Sequence, residues 1–258
     1  MCRMFGLRAA VPHHVQRSLL HDQNALCVQS KDHPDGWGIG HYPTSGDTLR
    51  PLVDRGLSAA FADQEFAQAA ERVLARTVVA HVRRASCGPV TLPNTHPFTR
   101  GRWLFAHNGT VTRFADDPIC RPALEAELDP DLRATLVGDT DSERCFLLFL
   151  SRLRSRTPLE AGAKPSDIAW ALHDTVRTVR AIADRPGLEP SSLTFIVSDG
   201  ESLLALRHGR SLHQRIQSGD GLPIARYSVA SEVLGTAGPW EEIPEGGLVG
   251  VGPDLKPI

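Results

Sequence analysis

The chemistry of this chain starts at Cys2, inside the opening Met1-Cys2-Arg3-Met4-Phe5-Gly6. Cysteine is small enough for the initiator methionine to be trimmed, which would leave a thiol and a free α-amine on one residue. An α-amine with a pKa of roughly 7.7–8.0 can take a proton near neutral pH. A terminal cysteine or threonine activated in this way is a route to acyl transfer. Taken alone, residue 2 reads rather as an ordinary disordered terminus. Three further stretches carry residue types suited to a polar site. They are Ala80-His81-Val82-Arg83-Arg84-Ala85-Ser86-Cys87-Gly88, the pair Asn94-Thr95-His96-Pro97-Phe98 and Ala106-His107-Asn108-Gly109, and Gly138-Asp139-Thr140-Asp141-Ser142-Glu143. Each has a structural reading. Arg83 can be a solvated strand end, Asp141 can answer a helix dipole, and Asn108-Gly109 can be a turn.

These residues need elements to hold them. Strands are predicted over Phe5–Ala10, Ala25–Ser30 and Gly36–Tyr42, with a charged turn between the last two. The spacing of Phe61, Phe66, Ala70, Val73 and Leu74 predicts a helix over Ser58–Arg76. Thr77–Arg83 is β-branched and apolar, a buried strand, with Arg102–His107 as its expected neighbour. Residues 113–138, rich in prolines and acids, read as a long surface excursion. Thr140-Asp141-Ser142-Glu143 fits a capping box and opens a helix burying Cys145, Phe146, Phe149, Leu150 and Leu153. A second helix is expected over Pro165–Asp184. Strands follow at Leu193–Ser198, Ser202–His208, Tyr227–Ser231 and Gly247–Val251, the first two joined at Asp199-Gly200. Strands, then helices, then strands again predict stacked sheets with helices outside.

Composition narrows the class. The 258 residues are 41% hydrophobic and 22% charged, ordinary values for a globular protein able to bury a core. A net charge of −2 gives no field that would recruit nucleic acid or an anionic membrane. No apolar run approaches the ~20 residues of a bilayer span, and Arg8, His13, His14 and Arg17 break up the start before a signal-peptide core forms. Cys2, Cys27, Cys87, Cys120 and Cys145 are odd in number and widely spaced. That argues against a disulfide framework and a zinc site, and points to a reducing cytoplasm. His81, His96 and His107 lack helical ligand spacing, so no metal is expected, and no motif calls for a cofactor.

In this order, the four stretches resemble the class II glutamine amidotransferases, members of the N-terminal nucleophile hydrolases. Asp35-Gly36-Trp37-Gly38 and the Met-Cys-Arg start are similar to the short, stand-alone members, among them the γ-glutamyl hydrolase of ergothioneine synthesis. The resemblance runs through the first ~150 residues. It implies an α+β fold, a four-layer α/β/β/α sandwich of two mostly antiparallel sheets flanked by helices, with residues 1–258 as one domain. It also implies roles. Cys2 would attack the side-chain amide carbon of glutamine, giving a thioester and ammonia, with its own amine as base and then acid. Arg83 would grip the substrate α-carboxylate through its planar fork, and Asp141 would pair with the α-ammonium. Asn108 and the Gly109 N–H would receive the oxyanion. Ser86 would touch the amino-acid head and His96 would buttress the substrate pocket.

The chain departs from the family pattern in two places. Where many members read Arg-Trp-Ala-Thr-His-Gly, this one has Arg83-Arg84-Ala85-Ser86-Cys87-Gly88, so Arg84 and Cys87 alter the pocket wall, and the extra cation there would suit a larger γ-glutamyl compound. No residues remain for an acceptor domain, so ammonia is either released or passed to a separate synthase subunit. Two other readings stand beside this one. One is an N-terminal-cysteine amidase of the choloylglycine or penicillin type, which has no need of an Arg83/Asp141 clamp. The other is a non-catalytic amino-acid-binding regulatory subunit, which would retain Met1.

Overall fold

The computed structural model describes residues 2–44, 49–219, 221–236 and 238–258, with Pro223 described by its backbone alone. Met1, expected to be trimmed, lies outside the described residues. The first half runs β1 (Arg3–His14), α1 (Leu26–Gln29), β2 (Trp37–His41), β3 (Leu52–Gly56), α2 (Gln64–Arg72), β4 (Leu74–Val82), β5 (Phe98–Arg100) and β6 (Trp103–Thr110). Four helices follow: α3 (Cys120–Ala126), α4 (Pro130–Arg133), α5 (Asp141–Arg154) and α6 (Pro165–Ala183). The chain ends with β7 (Ser192–Ser198), β8 (Leu203–Leu206), β9 (His213–Gly219), β10 (Leu222–Ala230), β11 (Glu241–Glu242) and β12 (Leu248–Val251).

The strands form a seven-stranded sheet ordered β11-β9-β10-β1-β4-β2-β3 and a five-stranded sheet ordered β12-β8-β7-β6-β5. Every pairing among the described strands is antiparallel. Alternation along β1 and β4 sorts side chains into two cores. Met4 and Val79 join Leu104, Ala106 and Ile196 between the sheets, while Phe5, Leu7, Val78 and Ala80 face outward onto Phe66 and Ala69 of α2. On the far side, Phe105, Phe195 and Val197 of the smaller sheet pack against Phe146 and Phe149 of α5 and Ile168 and Leu172 of α6. The result is the expected four-layer α+β sandwich.

Four segments differ from expectation. The strand β6, expected as the neighbour of β4, lies in the other sheet between β7 and β5. Ala25–Ser30 forms one helical turn, Leu26–Gln29, rather than a strand. Its burial does not alternate, since neighbouring Ala25 and Leu26 are both buried and Val28 is exposed. The helix predicted over Ser58–Arg76 is shorter, because Asp63 caps it by accepting from the Glu65 N–H, and Val73 is already extended before β4. Residues 113–138 do not merely wander over the surface. They fold into α3 and α4, and Phe114, Cys120, Leu124, Leu128 and Leu132 join the core above α5.

Candidate active site

The N-terminal end of β1, the C-terminal ends of β4 and β6 and the start of α5 meet at one end of the sandwich. In the β1–β4 register Arg3 faces Val82, so Cys2 comes beside the residues that leave β4. Its sulfur lies 3.5 Å from the Arg84 N–H nitrogen and 3.6 Å from the Arg84 carbonyl oxygen. Cys2 is 8% exposed, and burial pushes its thiol pKa up, opposed by the Arg84 backbone contact and the nearby Arg83 charge. A thiol in that state needs a base to become a nucleophile.

Arg83 is buried, and its terminal nitrogens donate to the carbonyls of Pro89 (3.0 Å), Cys87 (3.0 Å) and Gly88 (3.2 Å). Burial lowers its pKa, while Cys2, Asp35 and Asp141 raise it, so these groups share one electrostatic neighbourhood. Asp35, read before only as part of Asp-Gly-Trp-Gly, fixes the turn that follows. Its carboxylate accepts from the Ala85 N–H at 2.8 Å, and its own N–H donates to the Arg83 carbonyl at 3.0 Å. Ser86 is exposed at the rim and accepts from the Thr110 hydroxyl at the end of β6 (3.3 Å).

Asp141 is the first residue of α5. Thr140 caps that helix, accepting from the Glu143 N–H at 3.2 Å. The Glu143 carboxylate does not close the capping box. It turns to the N–H groups of Val137 and Gly138 and ties down the approach to the helix. The Asp141 carboxylate is buried, accepting from the Val111 N–H at 2.7 Å and from the Ser142 hydroxyl at 3.2 Å. It is thereby fastened to the chain just past Asn108-Gly109. Asn108 and Gly109 lie in β6, not in a turn. Pairing with β5 stops at Phe105, so this stretch of β6 is an edge on that side. Asn108 is buried and its side-chain oxygen has no hydrogen-bond partner. Gly109 has a packing reason for its identity, since a Cβ there would sit 1.8 Å from the Ser192 carbonyl oxygen.

Asn94 joins the two halves of this arrangement. Its side-chain NH2 donates to the Pro89 carbonyl and its oxygen accepts from the Asp139 N–H, at 3.0 and 2.8 Å. The arginine loop and the approach to α5 are thus held by one buried amide. The sequence signal was present in Asn94-Thr95-His96-Pro97, but nothing there distinguished the asparagine.

The three histidines take separate places. His107 faces the helices: its Nε2–H donates to the Ser192 carbonyl (3.0 Å), and its Nδ1 lies 2.9 Å from the Ser142 hydroxyl oxygen. His81 and His96 stack with centroids 4.2 Å apart, and neither ring has a hydrogen-bond partner. Burial pushes the His81 pKa down to about 3 and that of His96 down as well, so both are neutral. His96 therefore lies in a buried stack with His81 and Phe98. Its loop reaches that position because Gly38 has no side chain: a Cβ would lie 2.1 Å from the His96 carbonyl oxygen. Among the described residues, no group of three or more His, Cys, Asp or Glu is arranged to hold a metal ion. No helix among them is long and apolar enough to cross a membrane.

The family of class-II glutamine amidotransferases matches residues 1–218. A probable glutamine amidotransferase of Saccharomyces cerevisiae is 28% identical over 230 residues, 81% of this chain and 64% of the yeast protein. The γ-glutamyl-hercynylcysteine sulfoxide hydrolase of Mycolicibacterium smegmatis is 39% identical over 80 residues, 31% of this chain and 34% of that one. The chain thus spans under two thirds of the length of these curated relatives. Among solved structures, a class-II glutamine aminotransferase domain protein of Silicibacter pomeroyi superposes with a TM-score of 0.66 at 23% identity. That match covers 100% of this chain and 98% of the other, and it is a likeness of fold. With the family matched across most of its length, the chain is a member of the class-II glutamine amidotransferases.

Proposed function

We propose that the protein hydrolyses the γ-amide of glutamine or of a γ-glutamyl compound through a thioester on Cys2. After removal of Met1, the α-amine of Cys2 takes the thiol proton and sulfur attacks the δ-carbon. The oxygen becomes an oxyanion facing the Asn108 side-chain amide and the Gly109 N–H. The amine then gives its proton to the leaving nitrogen, the C–N bond breaks, and water attacks the thioester to release the γ-carboxylate and regenerate the thiol. Arg83 and Asp141 take the α-carboxylate and α-ammonium of the substrate, with Ser86 at the rim. Ammonia is released or passed to a synthase partner.

The observation that carries this reading is the convergence of Cys2, Arg83 and Asp141, from three distant parts of the chain, within range of one another's charge. An anion and a cation flanking a buried thiol suit a zwitterionic head. They would be a desolvation cost for an apolar acyl group, which weighs against the choloylglycine and penicillin type. The exposed Arg84 side chain and rim Ser86 suit a leaving group larger than ammonia, in line with the similarity to the mycobacterial hydrolase.

The test is labelling of the purified protein with an electrophilic glutamine analogue, read by intact and peptide mass, beside an assay of glutamine and γ-glutamyl amides. One label on a Cys2 that has lost Met1, with loss of amide hydrolysis, is expected. A retained Met1 in active protein, or a label elsewhere, would overturn the mechanism, and a retained Met1 with no amide hydrolysis would favour the regulatory role.

A further inference from the structure

A second polar site lies on the opposite face of the seven-stranded sheet, away from the thiol. The helices α1 and α2 pack over β1, β4 and β2, leaving the outer face of β9 and β10 without a helix. There the single turn Arg17–His21 and the segment around Gly235 and Trp240 rim a cavity of about 210 Å³. Its floor is Phe5 and Leu7. Strand register explains what else faces it. Leu7 pairs with Ser228 and Ser228 with Arg215, while Arg226 pairs with Gln217 one step along. Residues two apart share a face, so Arg215 and Arg226 stand as diagonal neighbours on adjacent strands above the same floor.

The charges in this cavity do not balance. Arg226 is half-buried, and its partners are both neutral: the Gln217 side-chain oxygen and the His13 Nε2. An imidazole nitrogen that accepts from a guanidinium must carry a lone pair, so His13 is neutral, and burial holds its pKa down. Arg215 lies 5.9 Å from the Trp240 ring centroid, and no carboxylate of the described residues forms an ion pair with it. Asp22 is the one carboxylate among the described residues lining the cavity, and it is bound to Arg17 at 2.9 Å. Three guanidinium groups therefore face a single carboxylate. Burial pushes the pKa of both Arg215 and Arg226 down; Asp22 opposes this at both, while Arg17 adds to it at Arg215 and Arg215 and Arg17 add to it at Arg226. Like charges held together in a partly dry concavity raise one another's energy, and a bound anion reverses that term.

We propose that this cavity binds a small oxyanion of the phosphate class, held between Arg215 and Arg226 with Arg17 at the rim. Tetrahedral oxyanions suit the place because two planar guanidinium forks on adjacent strands can each donate paired N–H groups to different oxygens. The enclosing apolar floor and the Trp240 ring favour a small molecule over an acidic peptide strand. Inorganic phosphate and a phosphomonoester share the recognised group, and the Trp240 side leaves room for the organic part of the latter.

The experiment uses the full chain at constant ionic strength set with chloride. Inorganic phosphate, glycerol phosphate and a nucleoside monophosphate are titrated by calorimetry, and phosphorus NMR line broadening follows binding without any variant. Saturable binding of at least one of these is expected, with affinity reduced at least tenfold in Arg215→Gln and Arg226→Gln. Arg226→Lys, which keeps the charge but loses the fork, should fall between them and the wild type. Arg100→Gln, on the other sheet, should bind as the wild type does. Tighter binding of an ester than of phosphate assigns the organic part to the Trp240 side, and equal binding assigns the site to the oxyanion alone. No saturable binding by the unaltered protein, or equal affinity in folded Arg215→Gln and Arg226→Gln, would refute the proposal.

Discussion

Replacing Asn94 by alanine should loosen both the fold and the proposed amino-acid clamp. The side chain is buried and makes two hydrogen bonds, one on each side of a seam. The Pro89 carbonyl keeps the Arg83 guanidinium as a donor, so losing the amide there costs about 0.5–1.5 kcal/mol. The Asp139 N–H keeps no such substitute, and an unsatisfied donor costs about 1–3 kcal/mol. The sum is about 1.5–4.5 kcal/mol, measurable as a fall in the urea midpoint with little change in slope. Gly138 provides an independent check, because a Cβ there would lie 2.3 Å from the Asn94 oxygen. Gly138→Ala should be destabilising in the wild type and clearly less so on the Asn94→Ala background, a coupling that a double-mutant cycle isolates. On γ-amide hydrolysis, the KM should rise more than kcat falls, since the seam joins the arginine loop to the approach to Asp141. Strictly additive stabilities, or a loss under about 0.5 kcal/mol with unchanged KM, would refute the reasoning.

Cys2→Ala should abolish hydrolysis while leaving the urea midpoint near that of the wild type, as steady-state assays and denaturation would show. Asn108→Ala should lower kcat by about 10²–10³, equivalent to about 2.7–4 kcal/mol. Its side-chain oxygen has no partner to lose, so a comparable loss of stability would argue for a structural role instead. Gly38→Ala should yield little folded protein, because its Cβ would meet backbone rather than a flexible side chain; normal soluble yield would contradict the close approach at His96. The neutral His81, with a folded pKa near 3 against about 6.5 when unfolded, stabilises the protein fully above pH 6.5 and progressively less as pH falls. Between pH 6.5 and 5 that amounts to about 2 kcal/mol, with His96 adding to it, and a flat urea stability over this window would count against both.

Much of the fold was legible because its strands and long helices bury one periodic face each. The α5 core residues Cys145, Phe146, Phe149, Leu150 and Leu153 recur at helical steps and are buried. The β4 segment reads as apolar because both of its faces are covered, one by α2 and one by the second sheet. What escaped has weak local patterning. β9 carries exposed and half-exposed polar residues, and β5 is three residues long. The segment 113–138 looked like surface because its proline and acid content hides five widely spaced apolar residues that only the folded chain gathers. Ala25–Ser30 misled because a short apolar run fits a strand and a buried turn equally well.

The candidate site divides along a different line. Cys2, Arg83, Asn108 and Asp141 can be proposed from the sequence because their chemistry would be carried by residue type and order. The groups that hold them in place are legible only in three dimensions, because a positioning role depends on which backbone groups lack partners. Asp35 and Asn94 satisfy N–H and C=O groups at Ala85, Pro89 and Asp139, sites that no sequence pattern marks as needy. Glu143 was expected to close a capping box and serves the turn before the helix instead. The same reasoning bears on Arg83. Its terminal N–H groups already serve three loop carbonyls, so the substrate carboxylate proposed for it would have to share or displace them. Affinity for the α-carboxylate is then coupled to the stability of the 87–89 loop. Arg83→Lys should therefore raise KM and also loosen that loop, whereas a pure substrate contact would leave the loop's hydrogen-exchange protection unchanged.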